Sequence, residues 1–438
     1  MKVFIETLGC PKNITDSEYA AGILERAGHK IVSDPDTAGV IIVNTCGFIN
    51  DAKKESIDTI LELAAYKKNK QILIVSGCLS KRYYNDLYKE LPEVDIFLGV
   101  NEYDKLPIIL QKYVYGKREK IVSESEKEYI ELGNRKLKDG EFTAYLKIAE
   151  GCDNCCAYCV IPSIRGSYRS RKMEEIIREA KEIVEKGCVE ITIVAQDVTT
   201  YGKDLYGRYA LPELLRKLWE IDKLVWIRLM YCYEDEITDE LIDEIANNSK
   251  VCKYIDIPIQ HSSDNILKLM NRRSTKESIY ATISKLRSKV PGIAIRTTLI
   301  TGFPGETKED FDDLYEFVNE MKFERLGVFH YSKEENTPAA KMKNQVPEKT
   351  KVKRKEMLMA LQKDISLELN LKKVGSIWDV LVEEKVENED TYIGRSQYDA
   401  RDIDQSVIFT SEKPLETGNF VQVKINDALD YDLIGQVI

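Results

Sequence analysis

The sequence predicts a multidomain α/β protein with an N-terminal open parallel sheet, a central partial (β/α)6 barrel and a small C-terminal all-β barrel. Three observations support this prediction. Apolar strands alternate with helical periods over the first 100 residues, and the same alternation starts again at Thr143. After residue 372 the pattern changes to short β-rich runs separated by Gly, Asn and Asp, which is typical of small β barrels.

The N-terminal domain is expected to span residues 1–116. Its predicted strands are Lys2–Thr7, Gly39–Asn44 and Gln71–Ser76. Each is followed by a predicted helix, in order Asp16–Ala27, Asp51–Ala65 and Lys81–Leu91. Residues 117–142 are highly charged and have almost no apolar periodicity, so we expect a linker or a surface extension there.

The central domain is expected to span residues 143–372 and to place its site at the C-terminal ends of its strands. The six strand candidates are Ala144–Ala149, Glu190–Ala195, Val225–Tyr231, Tyr254–Pro258, Ile293–Ile300 and Leu326–Tyr331. A charged, amphipathic helical stretch ends this domain. The last domain, residues 373–438, has strand candidates at Trp378–Val382, Tyr392–Ile393, Val407–Thr410, Phe420–Ile425 and Leu433–Ile438.

The composition is that of an ordinary folded protein. The chain has 438 residues, 43% hydrophobic and 32% charged, with 64 Lys and Arg against 74 Asp and Glu and a net charge of −10. No apolar run approaches the roughly 18 residues of a membrane helix, and the start MKVFIETLGC has no signal-peptide core. We therefore expect a cytoplasmic protein without a membrane partner, and the acidic balance makes generic nucleic-acid binding unlikely.

Ten cysteines are the most informative feature of the composition. Because cytosolic thiols stay reduced, they are metal ligands, catalytic thiols or small buried side chains. Cys10, Cys46 and Cys78 each follow an apolar strand and precede a helix. The C-terminal ends of parallel strands share one edge, so these thiols can converge. Three unrelated buried thiols are the alternative.

A tighter group of cysteines occurs in the segment EGCDNCCAYCVIP, where Cys152, Cys156 and Cys159 have the spacing C-x3-C-x2-C. Soft sulfur ligands select zinc or iron–sulfur clusters. A structural zinc site usually takes ligand pairs from separated segments, and a ferredoxin supplies four cysteines per cubane. Three ligands in one loop suit a 4Fe–4S cluster with an open iron. Cys155 is interpreted as a bystander, and Cys188, Cys232 and Cys252 match no ligand spacing.

The spacing C-x3-C-x-aromatic-x-C, with Tyr158 as the aromatic residue, resembles the radical S-adenosylmethionine (SAM) signature. The contexts LGCPKN, NTCGFI and SGCLSKRYY resemble the N-terminal domain of radical SAM methylthiotransferases, and the last domain resembles their TRAM domain. The resemblance covers essentially the whole chain. It implies two 4Fe–4S clusters, an auxiliary one on Cys10, Cys46 and Cys78 and a radical SAM one on Cys152, Cys156 and Cys159, with SAM as methyl donor and radical source.

The methylthiotransferase family has two substrate branches. One modifies an adenosine derivative in tRNA, and the other modifies an aspartate of small-subunit ribosomal protein S-twelve. Pro11-Lys12-Asn13 resembles the ribosomal-protein branch, whereas the tRNA enzymes more usually carry Gln-Met-Asn. Residues 373–438 hold most of the net negative charge, which suits a basic protein partner, although solubility alone would also explain it. The alternatives are the tRNA enzyme and a non-catalytic iron–sulfur protein that transfers electrons or senses redox state.

The resemblance also implies a reaction sequence and partners. The auxiliary cluster carries an exogenous sulfur that one SAM methylates, and the other cluster reduces a second SAM to a radical that takes a hydrogen from the β-carbon of the aspartate. Such chemistry requires a cavity that excludes water. It also requires an electron donor of the flavodoxin or ferredoxin type and a sulfur donor.

Five further residues are weaker candidates. The turn TGFPGE at 301–306 resembles the family's turn near the SAM adenosine, which makes Gly302 and Glu306 candidates for SAM binding together with Tyr158; a turn that simply needs glycine is the alternative. Gln196 ends the second strand, where a polar side chain would face SAM. On the substrate side, His261 ends the fourth strand, and Arg165 follows the cluster loop, where it either binds a carboxylate or is part of a solvated basic segment.

Overall fold

The computed structural model describes residues 1–68, 70–123 and 129–438, and it confirms the predicted three-part architecture. The N-terminal domain is a parallel sheet in the spatial order β2-β1-β3-β4-β5-β6. Its strands are β1 (Lys2–Thr7), β2 (Lys30–Ile31), β3 (Val40–Thr45), β4 (Ile72–Gly77), β5 (Ile96–Leu98) and β6 (Glu119–Ile121). Its helices are α1 (Pro11–Arg26), α2 (Asn50–Tyr66), α3 (Cys78–Glu90) and α4 (Leu106–Lys112).

Both faces of this sheet are covered, because β3 and β4 are apolar on both sides. The alternate residues Val40 and Ile42 pack with α1 and α4, whereas Ile41 and Val43 pack with α2 and α3. Strands that are buried on both faces read as continuous apolar runs, which is why the sequence predicts them well.

The charged segment 117–142 does more than connect two domains. Its residues Glu119–Ile121 form the edge strand β6 of the N-terminal sheet. Farther along, the Arg26 side chain of α1 donates hydrogen bonds to the carbonyls of Leu132 and Asn134, at 2.6 and 2.7 Å. The segment therefore contacts the N-terminal domain at β6 and again at Leu132 and Asn134, whereas its last residue, Phe142, accepts the amide of Val189 in the central domain. Residues 124–128 of the predicted linker lie outside the described residues.

The central domain holds a parallel sheet in the order β14-β13-β12-β11-β10-β7 and a short antiparallel pair β8-β9. The strands are β7 (Thr143–Lys147), β8 (Ala149–Glu150), β9 (Arg169–Ser170), β10 (Glu190–Val194), β11 (Trp226–Leu229), β12 (Val251–Asp256), β13 (Ala294–Thr301) and β14 (Arg325–His330). The helices are α5 (Ile161–Arg165), α6 (Met173–Glu185), α7 (Lys203–Tyr206), α8 (Leu211–Trp219), α9 (Asp239–Asn247), α10 (Asp264–Leu269), α11 (Lys276–Lys289), α12 (Lys308–Met321) and α13 (Glu348–Leu371).

The largest apolar core lies between this sheet and its helices. Helix α6 contributes Met173, Ile176, Ala180 and Ile183, which recur every three or four residues and so fall on one helical face. The parallel strands supply the other side of the core, among them Ile191 of β10. All strands of this sheet run parallel, so their C-terminal ends lie at one edge.

The C-terminal domain is a closed barrel. Its strands are β15 (Ile377–Lys385), β16 (Thr391–Ser396), β17 (Val407–Thr410), β18 (Phe420–Ala428) and β19 (Leu433–Val437). Val380 and Val382 of β15 point into the barrel, whereas Leu381 between them packs outward against the central domain beside Trp226. This period of two is the pattern of a strand with two different faces.

A buried ionic cluster fastens the C-terminal barrel to the central sheet. Glu190, at the start of β10, accepts hydrogen bonds from Arg228 at 2.8 Å and from Arg395 at 2.5 Å. A second pair joins Arg325 to Asp399. Buried charges are tolerated when they are paired, and here the pairs of Glu190 with Arg395 and of Arg325 with Asp399 cross from one domain to the other.

Among the helices in the described part of the chain, none is both long and apolar enough to cross a membrane.

Candidate metal centre

The first three cysteines lie together at the C-terminal edge of the N-terminal sheet. Cys10 directly precedes α1, Cys46 directly follows β3, and Cys78 is the first residue of α3 after β4. The pKa of Cys78 is raised to about 11, chiefly by burial; the nearby Arg165 opposes this shift, and the neighbouring Cys10 and Cys46 contribute to it. The three thiols are therefore close enough to interact electrostatically, as the strand-end argument predicts.

Gly9 shows how tightly the Cys10 and Cys46 loops pack. Its backbone is left-handed, with φ +90°, and a Cβ there would lie 2.7 Å from the Cβ of Cys46. Only glycine combines this conformation with this approach. The sequence LGC thus fixes how closely the two cysteine loops meet.

The second group of cysteines lies in the loop after β8. Cys156 Sγ lies 3.5 Å from the Tyr233 hydroxyl, and Cys159 Sγ accepts a hydrogen bond from the Ile161 amide at 3.4 Å. The pKa values of Cys152 and Cys159 are each raised to about 12, chiefly by burial and in part by the neighbouring cysteines. Cys155 is instead exposed, and its thiol lies 3.5 Å from the carbonyl of Asp153.

The donor chemistry of both groups fits an iron–sulfur cluster. Each supplies three soft sulfur ligands whose thiols must lose protons to bind metal. In the described residues, no three His, Cys, Asp or Glu side chains are arranged to share one metal ion. A cubane differs from a single ion because each cysteine binds its own iron, so the sulfur atoms can stay apart.

Arg165, on α5 just after the second group of cysteines, contacts the first group. Its Nη2 donates to Asn13 Oδ1 at 2.8 Å and to Cys78 Sγ at 3.5 Å, and its Nη1 lies 3.0 Å from carboxylate oxygens of Asp16 and Glu150. The side chain is 1% exposed. The guanidinium predicted as a substrate-side candidate is therefore engaged by protein groups at the junction of two domains.

Lys147 completes this polar network. Its Nζ lies 2.5 Å from Asp16 Oδ1 and 3.0 Å from Glu150 Oε2, so two cations neutralise two buried carboxylates. Glu150 also accepts a hydrogen bond from Gln196 Nε2 at 2.9 Å. The Oε1 atom of Gln196 is buried and makes no hydrogen bond within the described part of the chain, so this candidate for SAM binding keeps one acceptor available.

The predicted SAM-side turn lies next to the cysteine loop. The ring of Tyr158 packs edge-on against Phe303, with centroids 6.4 Å apart. Glu306 Oε2 accepts the amide of Gly302 at 2.6 Å, and its Oε1 pairs with Arg354 at 2.5 Å. A Cβ on Gly302, which has φ +71°, would lie 2.2 Å from Lys351 Cγ. Gly302 and Glu306 thus shape the turn itself.

His261 is fully buried beside the same turn. Its Nδ1 accepts a hydrogen bond from the Ser263 amide at 2.9 Å, and its Nε2 lies 3.6 Å from Glu306 Oε2. The structure therefore places this substrate-side candidate against the turn and separates it from Arg165, which lies in the interdomain network.

Tyr233 and Arg272, which were not predicted from the sequence, contact the cysteine loop. Arg272 lies 4.1 Å from the centroid of the Tyr233 ring, pairs with Glu234 at 2.6 Å and donates to the Tyr158 hydroxyl at 3.4 Å. No motif marks either residue. The available signal was that Tyr233 follows soon after the third strand of the barrel, at the edge where sites form.

Lys12 was noted in the sequence only as part of the Pro-Lys-Asn motif. Its ammonium donates to the carbonyl of Ala195 at 3.4 Å and lies 3.7 Å from the centroid of the Tyr231 ring. It also interacts electrostatically with the thiol of Cys159. Helix α1 therefore carries a lysine from the Cys10 loop to the strand ends of the central domain.

Comparison with known families agrees with this organisation. Residues 2–99 match the uncharacterized protein family UPF0004, residues 146–318 match the radical SAM superfamily, and residues 374–438 match the TRAM domain. The three matches fall in the three structural parts, in the order that the sequence predicts.

Full-length relatives carry one common name, ribosomal protein uS12 methylthiotransferase RimO. The protein of Acetivibrio thermocellus is 52% identical and that of Clostridioides difficile 49%, with 100% of this chain and 98% and 99% of the relatives covered. Among solved structures, the radical SAM methyltransferase TsrM from Kitasatospora setae, with cobalamin and a [4Fe-4S] cluster bound, is similar in fold. Its TM-score is 0.56 at 12% identity, over 86% of this chain and 80% of that one.

Proposed function

The chain belongs to the RimO family of radical SAM methylthiotransferases, and we propose that it adds a methylthio group to the β-carbon of an aspartate in small-subunit ribosomal protein uS12. The observation that carries this proposal is the pair of cysteine groups, Cys10, Cys46 and Cys78 on one domain and Cys152, Cys156 and Cys159 on the next. Arg165, which follows the second group along the chain, donates to Cys78 of the first group, and this contact supports placing both groups near one junction.

Both groups have the donor set for a 4Fe–4S cluster. We propose that the N-terminal cysteines hold the auxiliary cluster and that the loop after β8 holds the cluster that binds SAM. With the cofactors bound, this pair of sites supplies one-electron reduction of SAM, a carbon radical and a sulfur atom for transfer.

The chain's own residues position the groups at this junction and exclude water from it. Arg165 and Lys147 form ion pairs with Asp16 and Glu150. Burial would raise the pKa of Glu150, but the two cations outweigh burial and lower it. Tyr158 and Phe303 form an apolar wall beside the cysteine loop. Apolar side chains beside a cluster exclude water, which protects a radical from side reactions.

The proposed partners follow from the reaction. The substrate is uS12, a basic ribosomal protein, and residues 373–438 carry an excess of acidic side chains that suits it. A flavodoxin- or ferredoxin-like reductant and a sulfur donor complete the set. We place the protein in the cytoplasm, where ribosomal proteins are made.

Anaerobic reconstitution tests this proposal. We expect about eight irons per chain, two cubanes, and formation of 5′-deoxyadenosine together with methylthiolated uS12 when SAM, sulfide and dithionite are supplied. Cys46→Ala is expected to retain about four irons and 5′-deoxyadenosine formation but to lose the methylthiolated product. The matched control is Cys188→Ala, which removes a buried thiol outside both groups. It is expected to keep about eight irons, 5′-deoxyadenosine formation and the methylthiolated product. Absence of 5′-deoxyadenosine in the wild type would refute the proposal.

A further inference from the structure

Lys12 is a buried cation without a buried anion to pair with. The residue is 8% exposed, and its ammonium makes one long hydrogen bond, to Ala195 O at 3.4 Å, besides its contact with the Tyr231 ring. Across the described residues, no carboxylate lies within ion-pair distance of it. An unpaired buried ion costs several kcal/mol, so such a group usually has a partner.

The other buried lysines and arginines of the described chain do have partners. Each forms an ion pair with at least one carboxylate: Arg135, Lys147, Arg165, Arg171, Arg228, Arg272, Arg325, Lys351 and Arg395. The rule that buried charges are paired thus holds throughout this protein, with Lys12 as the exception. That exception indicates a carboxylate which the described part of the chain does not supply.

The position of Lys12 indicates where this anion binds. The residue lies in the first turn of α1, two residues after Cys10, and its side chain reaches Ala195 at the end of β10 and Tyr231 after β11. Those two strand ends belong to the site edge of the central domain. The ammonium also interacts electrostatically with Cys159 of the other cysteine group. It therefore lies between the two groups of cysteines.

We propose that Lys12 binds the carboxylate of the substrate side chain and so holds the reacting carbon between the two cysteine groups. This inference rests on the proposed function. In an aspartate the β-carbon is bonded directly to the carboxylate, so a cation that fixes the carboxylate also fixes the carbon that reacts. A lysine ammonium is a compact point charge that suits a single carboxylate in a narrow site.

The same contact gives specificity. A neutral nucleobase offers no anion to Lys12, and its binding would leave the ammonium buried and unpaired. The lysine thus favours an acidic side chain and disfavours a base. Lys12 is a positioning and specificity residue, acting on the substrate carboxylate.

A binding cycle on the reconstituted holoenzyme tests this. The affinity of wild type and Lys12→Met is measured for uS12 and for uS12 whose target aspartate is replaced by asparagine. We expect the wild type to bind the aspartate form about tenfold or more tightly than the asparagine form, and Lys12→Met to bind both about equally. Lys250→Met is the control, because that lysine also donates to one backbone carbonyl, that of Ile221. It directly precedes β12 and so lies at the N-terminal ends of the strands, away from the edge that holds the site.

Discrimination retained by Lys12→Met overturns the inference, whether its affinity for the two forms of uS12 is unchanged or falls equally. Lowered iron content in the same variant would then assign the ammonium to a cluster. A wild type that does not bind uS12 at all overturns the proposed function as well, whereas a wild type that methylthiolates uS12 without distinguishing the two forms in binding overturns this inference alone.

Discussion

The guanidinium of Arg165 donates a hydrogen bond of 3.5 Å to the thiol of Cys78, so a residue of the central domain contacts a proposed cluster ligand of the N-terminal domain. The same group pairs with Asp16 of α1 and with Glu150 of β8. The proposed auxiliary and SAM-binding sites are thereby joined through one buried ionic network.

Removing Arg165 is expected to destabilise this junction. Arg165→Ala leaves Asp16 and Glu150 with Lys147 as their remaining cation, and we expect a loss of about 3 kcal/mol or more in the free energy of unfolding. Arg165→Lys retains the charge but loses the forked donors to Asn13 and Cys78, so its loss is smaller. Urea denaturation measures both.

Arg178→Ala is the control for this series, because the Arg178 side chain is 55% exposed where it pairs with Glu175. An exposed pair contributes less than about 1 kcal/mol. If Arg165→Ala unfolds at the same urea concentration as the wild type, the ionic network does not hold the domains together.

Cys155 and Cys156 are adjacent but differ in their expected effect on iron. Cys155 is exposed and its thiol lies 3.5 Å from the carbonyl of Asp153, whereas Cys156 Sγ faces the Tyr233 hydroxyl. We expect Cys155→Ala to keep the full iron content and Cys156→Ala to lose about four irons per chain. Iron analysis after anaerobic reconstitution decides this. Iron loss from Cys155→Ala would mean that the ligand set is wrong.

Gly9 and Gly28 form a matched pair for testing the N-terminal site. Both are left-handed, with φ +90° and +82°, so alanine at either position costs about 1–2 kcal/mol of backbone strain. A Cβ on Gly9 would collide with Cys46, whereas nothing lies within 4 Å of a Cβ on Gly28. We expect Gly9→Ala to lose about four irons and Gly28→Ala to keep about eight. Equal iron in the two variants would contradict close packing of the Cys10 and Cys46 loops.

Glu190 is expected to make the attachment of the C-terminal barrel sensitive to acid. Burial alone would raise its pKa, but Arg395 and Arg228 outweigh burial and lower the pKa to about 2. Because the folded-state pKa lies below the ordinary value of 4.5, the carboxylate stabilises the fold above that value. This stability is lost as the pH falls toward 2.

Glu190→Gln tests this dependence. The variant is expected to unfold at lower temperature than the wild type at pH 7, and the difference is expected to shrink as the pH falls from about 4.5. Asp239→Asn serves as an exposed control, since its carboxylate pairs with Lys285 on the surface. A difference between Glu190→Gln and wild type that does not change with pH would show that the Glu190 charge is not the cause.

Much of the fold could be predicted because most of its strands are short apolar runs that alternate with helical periods. Lys2–Thr7 and Val407–Thr410 are observed with the predicted bounds. The strands that were not predicted are short or charged: β2 and β9 have two residues each, β5 has three, and β6 is the charged edge strand. None has a period that can be separated from a loop.

The candidate site also has a part that could be predicted from the sequence and a part that could not. Strand order alone places Cys10, Cys46 and Cys78 at one edge, so their proximity could be predicted. The contacts of Arg165 with Cys78 and of Lys12 with Tyr231 depend on how two domains dock. No local pattern in the sequence carries that information, which is why neither contact could be predicted.

Mass spectrometry of uS12 and of tRNA from a strain that lacks this protein tests the central claim most directly. The account predicts that uS12 loses one methylthio group from its aspartate, that tRNA modification is unchanged, and that wild type restores uS12 whereas Cys46→Ala does not. Unmodified tRNA together with normally methylthiolated uS12 in the deletion strain would contradict the account and assign the enzyme to the tRNA branch.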